Sequence, residues 1–131
     1  MKYLLDTDIC IHWLRGNLSI RERLGAAGSE NVAVSVITLA ELRYGADCSN
    51  QPERNHQAID NFTSAIHVLG IDGGIASKFG EIKANLRREG NLIEDFDLLI
   101  AATADVHGLA LVTGNLGHFR RISDLQIEDW T

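Results

Sequence analysis

The sequence predicts an α/β layer fold with a mainly parallel central sheet. Three observations predict it. Short apolar, β-branched segments alternate with longer helical ones along the chain. Glycines and polar residues fall between the segments, where turns belong. The 131 residues are 45% hydrophobic, enough to bury a core on both faces of one sheet and about the size of one domain. Connections between parallel strands are expected to be right-handed.

The elements follow in order. Lys2 to Leu5 forms a buried strand ending at Asp6. Asp8 to Leu14 is helical and closes near Gly16; Ser19 to Leu24 is a second helix, with Gly25 to Gly28 as a break. Val32 to Val36 is the second strand and Thr38 to Ala46 the helix after it. Pro52, the single proline, suits the first turn of a helix that runs to about Ile66. Val68 to Ile71 is a third strand. In Ile75 to Glu89, Ile75, Phe79, Ile82 and Leu86 recur at helical spacing and Gly90 stands at the C-terminal position. Asp97 to Val106 is an apolar helix closed by Gly108, followed by a fourth strand at Leu109 to Thr113 and a short fifth around Leu125 to Ile127.

No apolar run approaches the roughly 20 residues of a membrane span, and the opening apolar stretch is too short for a signal-peptide core. The expectation is a cytoplasmic protein. Cys10 and Cys48 fit reduced, partly buried thiols. The histidines at 12, 56, 67, 107 and 118 form no pair at helical ligand spacing, which argues against zinc. The net charge of −6 is unfavourable for a nucleic-acid partner taken as a sum. Carboxylates gathered to hold a cation reverse that local sign once the ion binds.

Four positions stand out: Asp6, Glu41, Asp97 and Asn115. Each lies at a strand end or on the helix that follows, where open α/β sheets build their sites. Asp6 and Asp8 sit among Leu4, Leu5 and Ile9, and a carboxylate beside a core needs a partner. Asp8 is also a natural cap for the next helix. Thr38 to Glu41 matches a capping box, so Glu41 has a structural role open to it as well. Asp97 lies inside an apolar stretch, with Glu94 and Asp95 better placed as caps. Oxygen donors of this kind suit Mg²⁺ or Mn²⁺ and metal-assisted phosphodiester hydrolysis.

The segments together resemble a known family. Leu4-Leu5-Asp6-Thr7-Asp8, Ser35 through Gly45, Asp97 through Ala102, and Val112-Thr113-Gly114-Asn115 are similar, in order, to the four signatures of PIN-domain ribonucleases. Phe119, Arg121, Ile122 and the closing Glu128-Asp129-Trp130 extend the match across nearly the whole chain, nearest to VapC-type toxins. The resemblance implies a three-layer α/β sandwich and an acidic pocket holding Mg²⁺ or Mn²⁺. It implies endonucleolytic cleavage of RNA, with tRNA a common target. It also implies a VapB-type antitoxin, a homodimer, and operator DNA reached only through the antitoxin complex.

By position, Asp6, Glu41 and Asp97 match the family's acids, with Asp8 a further candidate ligand and Thr7 and Thr113 as hydroxyls that orient ligands or water. Two departures stand out: Asn115 occupies a position that is commonly Asp, and Asp8 one that is often Asn. An amide at 115 offers an oxygen but no charge. Lys83, Arg87 and Arg88 on one helix, and Arg120 with Arg121, are candidate phosphate contacts, or else a solvated face paired with Glu81 and Glu89. Trp13, Leu14, Tyr44 and Trp130 are candidate dimer contacts. Two other readings are a phosphatase of the haloacid-dehalogenase type using Asp6 and Asp8, and a binding protein that has lost catalysis at Asn115.

Overall fold

The computed structural model describes residues 1–131. Five strands, β1 (Tyr3–Leu5), β2 (Val32–Ser35), β3 (His67–Leu69), β4 (Ala110–Val112) and β5 (Ile127–Glu128), form one sheet in the order β3-β2-β1-β4-β5. Every pairing is parallel. Seven helices connect and cover it: α1 (Thr7–Leu14), α2 (Leu18–Ala27), α3 (Val36–Asp47), α4 (Pro52–Ser64), α5 (Gly73–Glu89), α6 (Asp95–His107) and α7 (Leu116–Phe119). No helix is long and apolar enough to cross a membrane.

The period-2 alternation of a strand explains the layers. Leu4 and Leu5 are both fully buried but point to opposite faces of β1. Leu4 joins Ala33 and Leu111 against Ile75, Ile82 and Leu86 of α5 and Leu98 and Ala101 of α6. Leu5 joins Val32, Val34 and Val112 against Ile9 of α1, Ile20 of α2, Leu42 of α3, and Ile59 and Phe62 of α4. A parallel sheet is stable when both faces are covered in this way. Each fully buried Leu or Ile contributes about 1.5–3 kcal/mol.

The topology also fixes where a site can form. From β1 the chain moves outward through β2 and β3, then returns to the other side of β1 with β4. The order reverses between β1 and β4, and their C-terminal ends lie side by side with Leu5 opposite Val112. Such a switch point leaves a crevice at the strands' carboxyl ends. Asp6 and Thr113 are the next residues on the two strands.

Several element boundaries differ from the expectation. Helix α3 starts at Val36 because the Ser35 hydroxyl accepts a hydrogen bond from Ile37 N at 3.0 Å. Thr38 therefore lies inside the first turn, and the capping box with Glu41 is not formed. Asp6, and not Asp8, caps α1, accepting from Thr7 N at 2.8 Å. Helix α2 passes through Gly25 and stops at Gly28, whose φ of 87° is a conformation glycine tolerates. Helix α6 begins at Asp95, so Asp97 is in its first turn but does not open it. Strand β5 starts two residues beyond Leu125, which packs against the core. The short helix α7 was not expected.

Trp13 packs on Phe62 with ring centroids 4.7 Å apart, and Trp130 is buried edge-on against Tyr3 at 5.3 Å. Of the four candidate dimer contacts, only Tyr44, 72% exposed, is an open surface residue. Cys10 is buried and Cys48 exposed, both as free thiols.

Candidate active site

Asp6 is the centre of the crevice. Its backbone N–H donates to Val112 O at 2.8 Å, which extends the β1–β4 ladder by one step and holds the side chain between the strand ends. Only 5% of the residue is exposed. Its Oδ1 accepts from Thr7 N, and its Oδ2 accepts from the Thr113 hydroxyl at 2.8 Å. No cation of the chain is paired with it. Burial pushes its pKa from 3.8 up to about 7, with the charges of Asp8 and Asp97 adding to the rise and the two hydrogen bonds opposing it. The same surroundings raise the buried Cys10 thiol well above its usual value, chiefly by desolvation and then through Asp6.

Asp8 closes one wall. Its Oδ1 accepts from Ile9 N at 2.8 Å, and its Oδ2 accepts from Gly114 N at 3.0 Å. The second bond ties α1 to the loop after β4. A Cβ at position 114 would stand 2.9 Å from Asp8 Oδ2, so glycine is what admits this approach.

Glu41 is held from α1 through a half-buried hydroxyl pair. Thr7 Oγ1 donates to Glu41 Oε1 at 2.8 Å and lies 3.0 Å from Thr38 Oγ1. The single hydroxyl proton of Thr7 goes to Glu41, so Thr38 must be the donor to Thr7. Glu41 also borders an apolar groove of about 330 Å³ between α1, α3 and α4.

Asp97 enters from the first turn of α6, with its side chain 21% exposed. Burial raises its pKa, and a contact with His118 opposes the rise. His118 Nδ1 lies 3.3 Å from Asp97 Oδ2 and 2.9 Å from Asn115 Nδ2. Asn115 N donates to Thr113 Oγ1 at 2.9 Å, so the backbone after β4 is fastened to the hydroxyl that serves Asp6.

The structure thus links Asp6, Asp8, Asp97, Asn115, Thr7 and Thr113 around the β1–β4 crevice, and fastens Glu41 to it through Thr7. Sequence reasoning missed His118, named Gly114 only as part of the fourth signature without its contact to Asp8, and read Thr38 only as a helix cap. The one available signal was the spacing Asn115 to His118, which sets two residues on one side of a helical turn.

The basic residues do not act as one patch. Lys83 pairs with Asp95 at 2.8 Å. Glu81 pairs with Lys78 rather than with any of them. Arg88 bonds Asn85, and Arg121 donates to Leu92 O at 3.1 Å. Lys83, Arg87 and Arg88 do line one shallow surface with Gly80 and Ala84.

Donor chemistry decides which ion these residues fit. No three His, Cys, Asp or Glu side chains converge as a ready-made cage. What is present is a buried, cation-free carboxylate with two like charges acting on it. That suits a hard divalent ion that takes few protein oxygens and keeps waters and substrate phosphate for the rest. A closed structural zinc site is not supported.

A sequence profile described as "PIN domain" matches residues 3–125. The chain belongs to the PIN-domain family. It is 41% identical over 132 residues to the "tRNA(fMet)-specific endonuclease VapC" of Shigella flexneri, covering 100% of this chain and 99% of that one. Among solved structures it is similar to DNA-bound VapBC from Salmonella typhimurium, with a TM-score of 0.95 and 41% identity over 100% of this chain and 99% of that one. VapBC2 from Rickettsia felis, bound to a DNA fragment from its promoter, superposes with a TM-score of 0.95 at 34% identity, covering all of both chains. A PIN domain explains the five parallel strands and the acids at their carboxyl ends. It leaves no support for a haloacid-dehalogenase reading of Asp6 and Asp8.

Proposed function

We propose that this PIN-domain protein is a divalent-metal-dependent endoribonuclease, using Mg²⁺ or Mn²⁺, and the toxin of a VapBC-type pair. The observation that carries the reading is Asp6, buried without a cation at the β1–β4 switch point and pushed up to about 7. Such a carboxylate is poorly placed for stability and well placed for a cation. Full-length likeness to a VapC named as a tRNA-specific endonuclease supports RNA, and tRNA in particular, as substrate. Likeness to toxin subunits solved with antitoxin and DNA supports a VapB-type partner, with operator DNA engaged through that complex. Residues 1–131 are read as one PIN domain, working as a homodimer in the cytoplasm.

Each residue has a role in this reading. Asp6, Asp97 and Glu41 would hold the ion, with Asp8 beside them. When bound, the ion supplies a more acidic water and positive charge against the scissile phosphate. Thr113 holds Asp6 by its Oδ2, and Thr7 holds Glu41, so both carboxylates are oriented before substrate arrives. Asn115 adds an amide without a charge. Lys83, Arg87, Arg88, Arg120 and Arg121 are read as flanking phosphate contacts.

The test is cleavage of purified total RNA with Mg²⁺, with EDTA, and with Asp6→Ala, resolved on a denaturing gel. Discrete fragments only from wild type with Mg²⁺ are expected. An active Asp6→Ala protein, or a folded wild type inert with both Mg²⁺ and Mn²⁺, refutes the reading.

A further inference from the structure

We propose that His118 is a positioning residue that fixes Asp97 and Asn115 as one hydrogen-bonded unit through its Nδ1, an inference that rests on the nuclease reading above. Four contacts carry it. Thr113 Oγ1 donates to Asp6 Oδ2 at 2.8 Å, and Asn115 N donates to Thr113 Oγ1 at 2.9 Å. The Asn115 side chain then meets His118 Nδ1 at 2.9 Å, and the same nitrogen lies 3.3 Å from Asp97 Oδ2. These contacts make a continuous path from one central acid to the other. His118 is the link that closes it.

Donor and acceptor counting gives the path a direction. Thr113 has one hydroxyl proton, and it goes to Asp6; its oxygen accepts from Asn115. A carboxylate only accepts, so Nδ1 of His118 carries the proton that Asp97 Oδ2 receives. A protonated Nδ1 cannot accept from the Asn115 NH₂ group. The amide therefore turns its carbonyl oxygen toward the ring, a rotation that exchanges two nearly isosteric ends. One N–H is then shared between the amide oxygen and the carboxylate.

The consequence falls on Asp97. It projects from the first turn of α6, while Asp6 and Asn115 hang from the ends of β1 and β4. Without His118 nothing else in the path reaches across to α6. With it, Asp97 Oδ2 is occupied and Oδ1 is left for a ligand. Side chains that hold ligating groups in this way typically account for 10–100-fold in metal affinity or activity. The amide at 115 adds no further negative charge beside Asp97, which already feels Glu94 and Asp8.

The experiment compares His118→Ala, His118→Asn and His118→Gln in the full chain. Asn places its amide at the ring's Nδ1 position, whereas Gln reaches the Nε2 position. Mn²⁺ binding is measured by calorimetry, and kcat and KM on RNA separately, with melting curves confirming the fold. Ala and Gln are expected to weaken Mn²⁺ binding about tenfold and lower kcat about 10–100-fold with KM unchanged, while Asn stays within about threefold of wild type. An Ala variant that binds Mn²⁺ and turns over like wild type overturns the proposal. So does rescue by Gln but not Asn, which would put Nε2 against the RNA. If wild type cleaves no RNA, the nuclease reading fails, and the Mn²⁺ arm alone still decides the role of His118.

Discussion

Replacing Asp6 with Asn should make the metal-free protein more stable at pH 8, not less. Asp6 titrates near 7 in the fold against 3.8 as its ordinary value, so the fold favours the neutral carboxyl. The difference of about 3 pH units corresponds to about 4 kcal/mol against the ionised form. The sign follows from proton counting. Below about pH 4 both states are protonated and nothing is lost. Between about 4 and 7 the folded state binds more protons than the unfolded chain, so stability falls as pH rises. Above 7 the loss is complete. Asn keeps the shape and the acceptor for Thr7 N, but turns an NH₂ toward Thr113, whose hydroxyl must then accept. That rearrangement costs about 1 kcal/mol. The net gain is about 3 kcal/mol at pH 8 and about 0.5 kcal/mol at pH 5. Urea unfolding in EDTA, followed by circular dichroism at both pH values, measures it. Wild type and variant contain the same other titrating groups, so their difference reports Asp6 together with its coupling to Asp8 and Asp97. An Asp6→Asn protein no more stable than wild type at pH 8 would refute the argument from burial.

Three further outcomes are expected. Gly114→Ala should destabilise by about 1–2 kcal/mol, because its Cβ would press on Asp8 Oδ2 at 2.9 Å; a melting temperature unchanged from wild type would mean the loop yields freely. Thr7→Val should leave the fold intact to within about 1 kcal/mol while lowering cleavage about tenfold, since Glu41 loses its hydroxyl donor; equal activity would free Glu41 from that dependence. Arg87→Ala with Arg88→Ala should weaken RNA binding and reduce the slope of log K against log salt by about 1–2, and an unchanged slope would remove them from the phosphate contacts.

The fold was legible because its signals are periodic and long. Two-faced burial of Leu4-Leu5, Val32 to Val34 and Leu111-Val112 follows from continuous apolar strands between amphipathic helices. The capping details were less legible. Ser35 and Thr38 are both good N-caps in sequence, and only the end of β2 decides that Ser35 is used. Asp6, Asp97 and Glu41 could be picked out as acids beside apolar runs. The threonine that holds Glu41 could not be assigned, because Thr7 and Glu41 are brought together by tertiary packing of α1 on α3. His118 was hidden for the same reason, since α7 is a single turn and its partner Asp97 lies on another helix.

The stability and the proposed chemistry share one source. A protein of net charge −6 that acts on RNA must meet phosphates with an acidic centre. Leaving Asp6 ionised in the metal-free fold costs about 4 kcal/mol at pH 8. A cation that ligates the carboxylate relieves that penalty, and relief of about 4 kcal/mol corresponds to about a thousandfold in cation affinity. The same term makes binding compete with protonation. Below pH 7 each ion taken up at Asp6 should release about one proton, and apparent affinity should fall about tenfold per pH unit. Calorimetric titration with Mn²⁺ in two buffers of different ionisation enthalpy would read that proton directly. Affinity independent of pH between 5.5 and 7 would show that Asp6 enters the fold already ionised. The source of the crevice's pull on a cation would then have to lie with Asp97 and Glu41 instead.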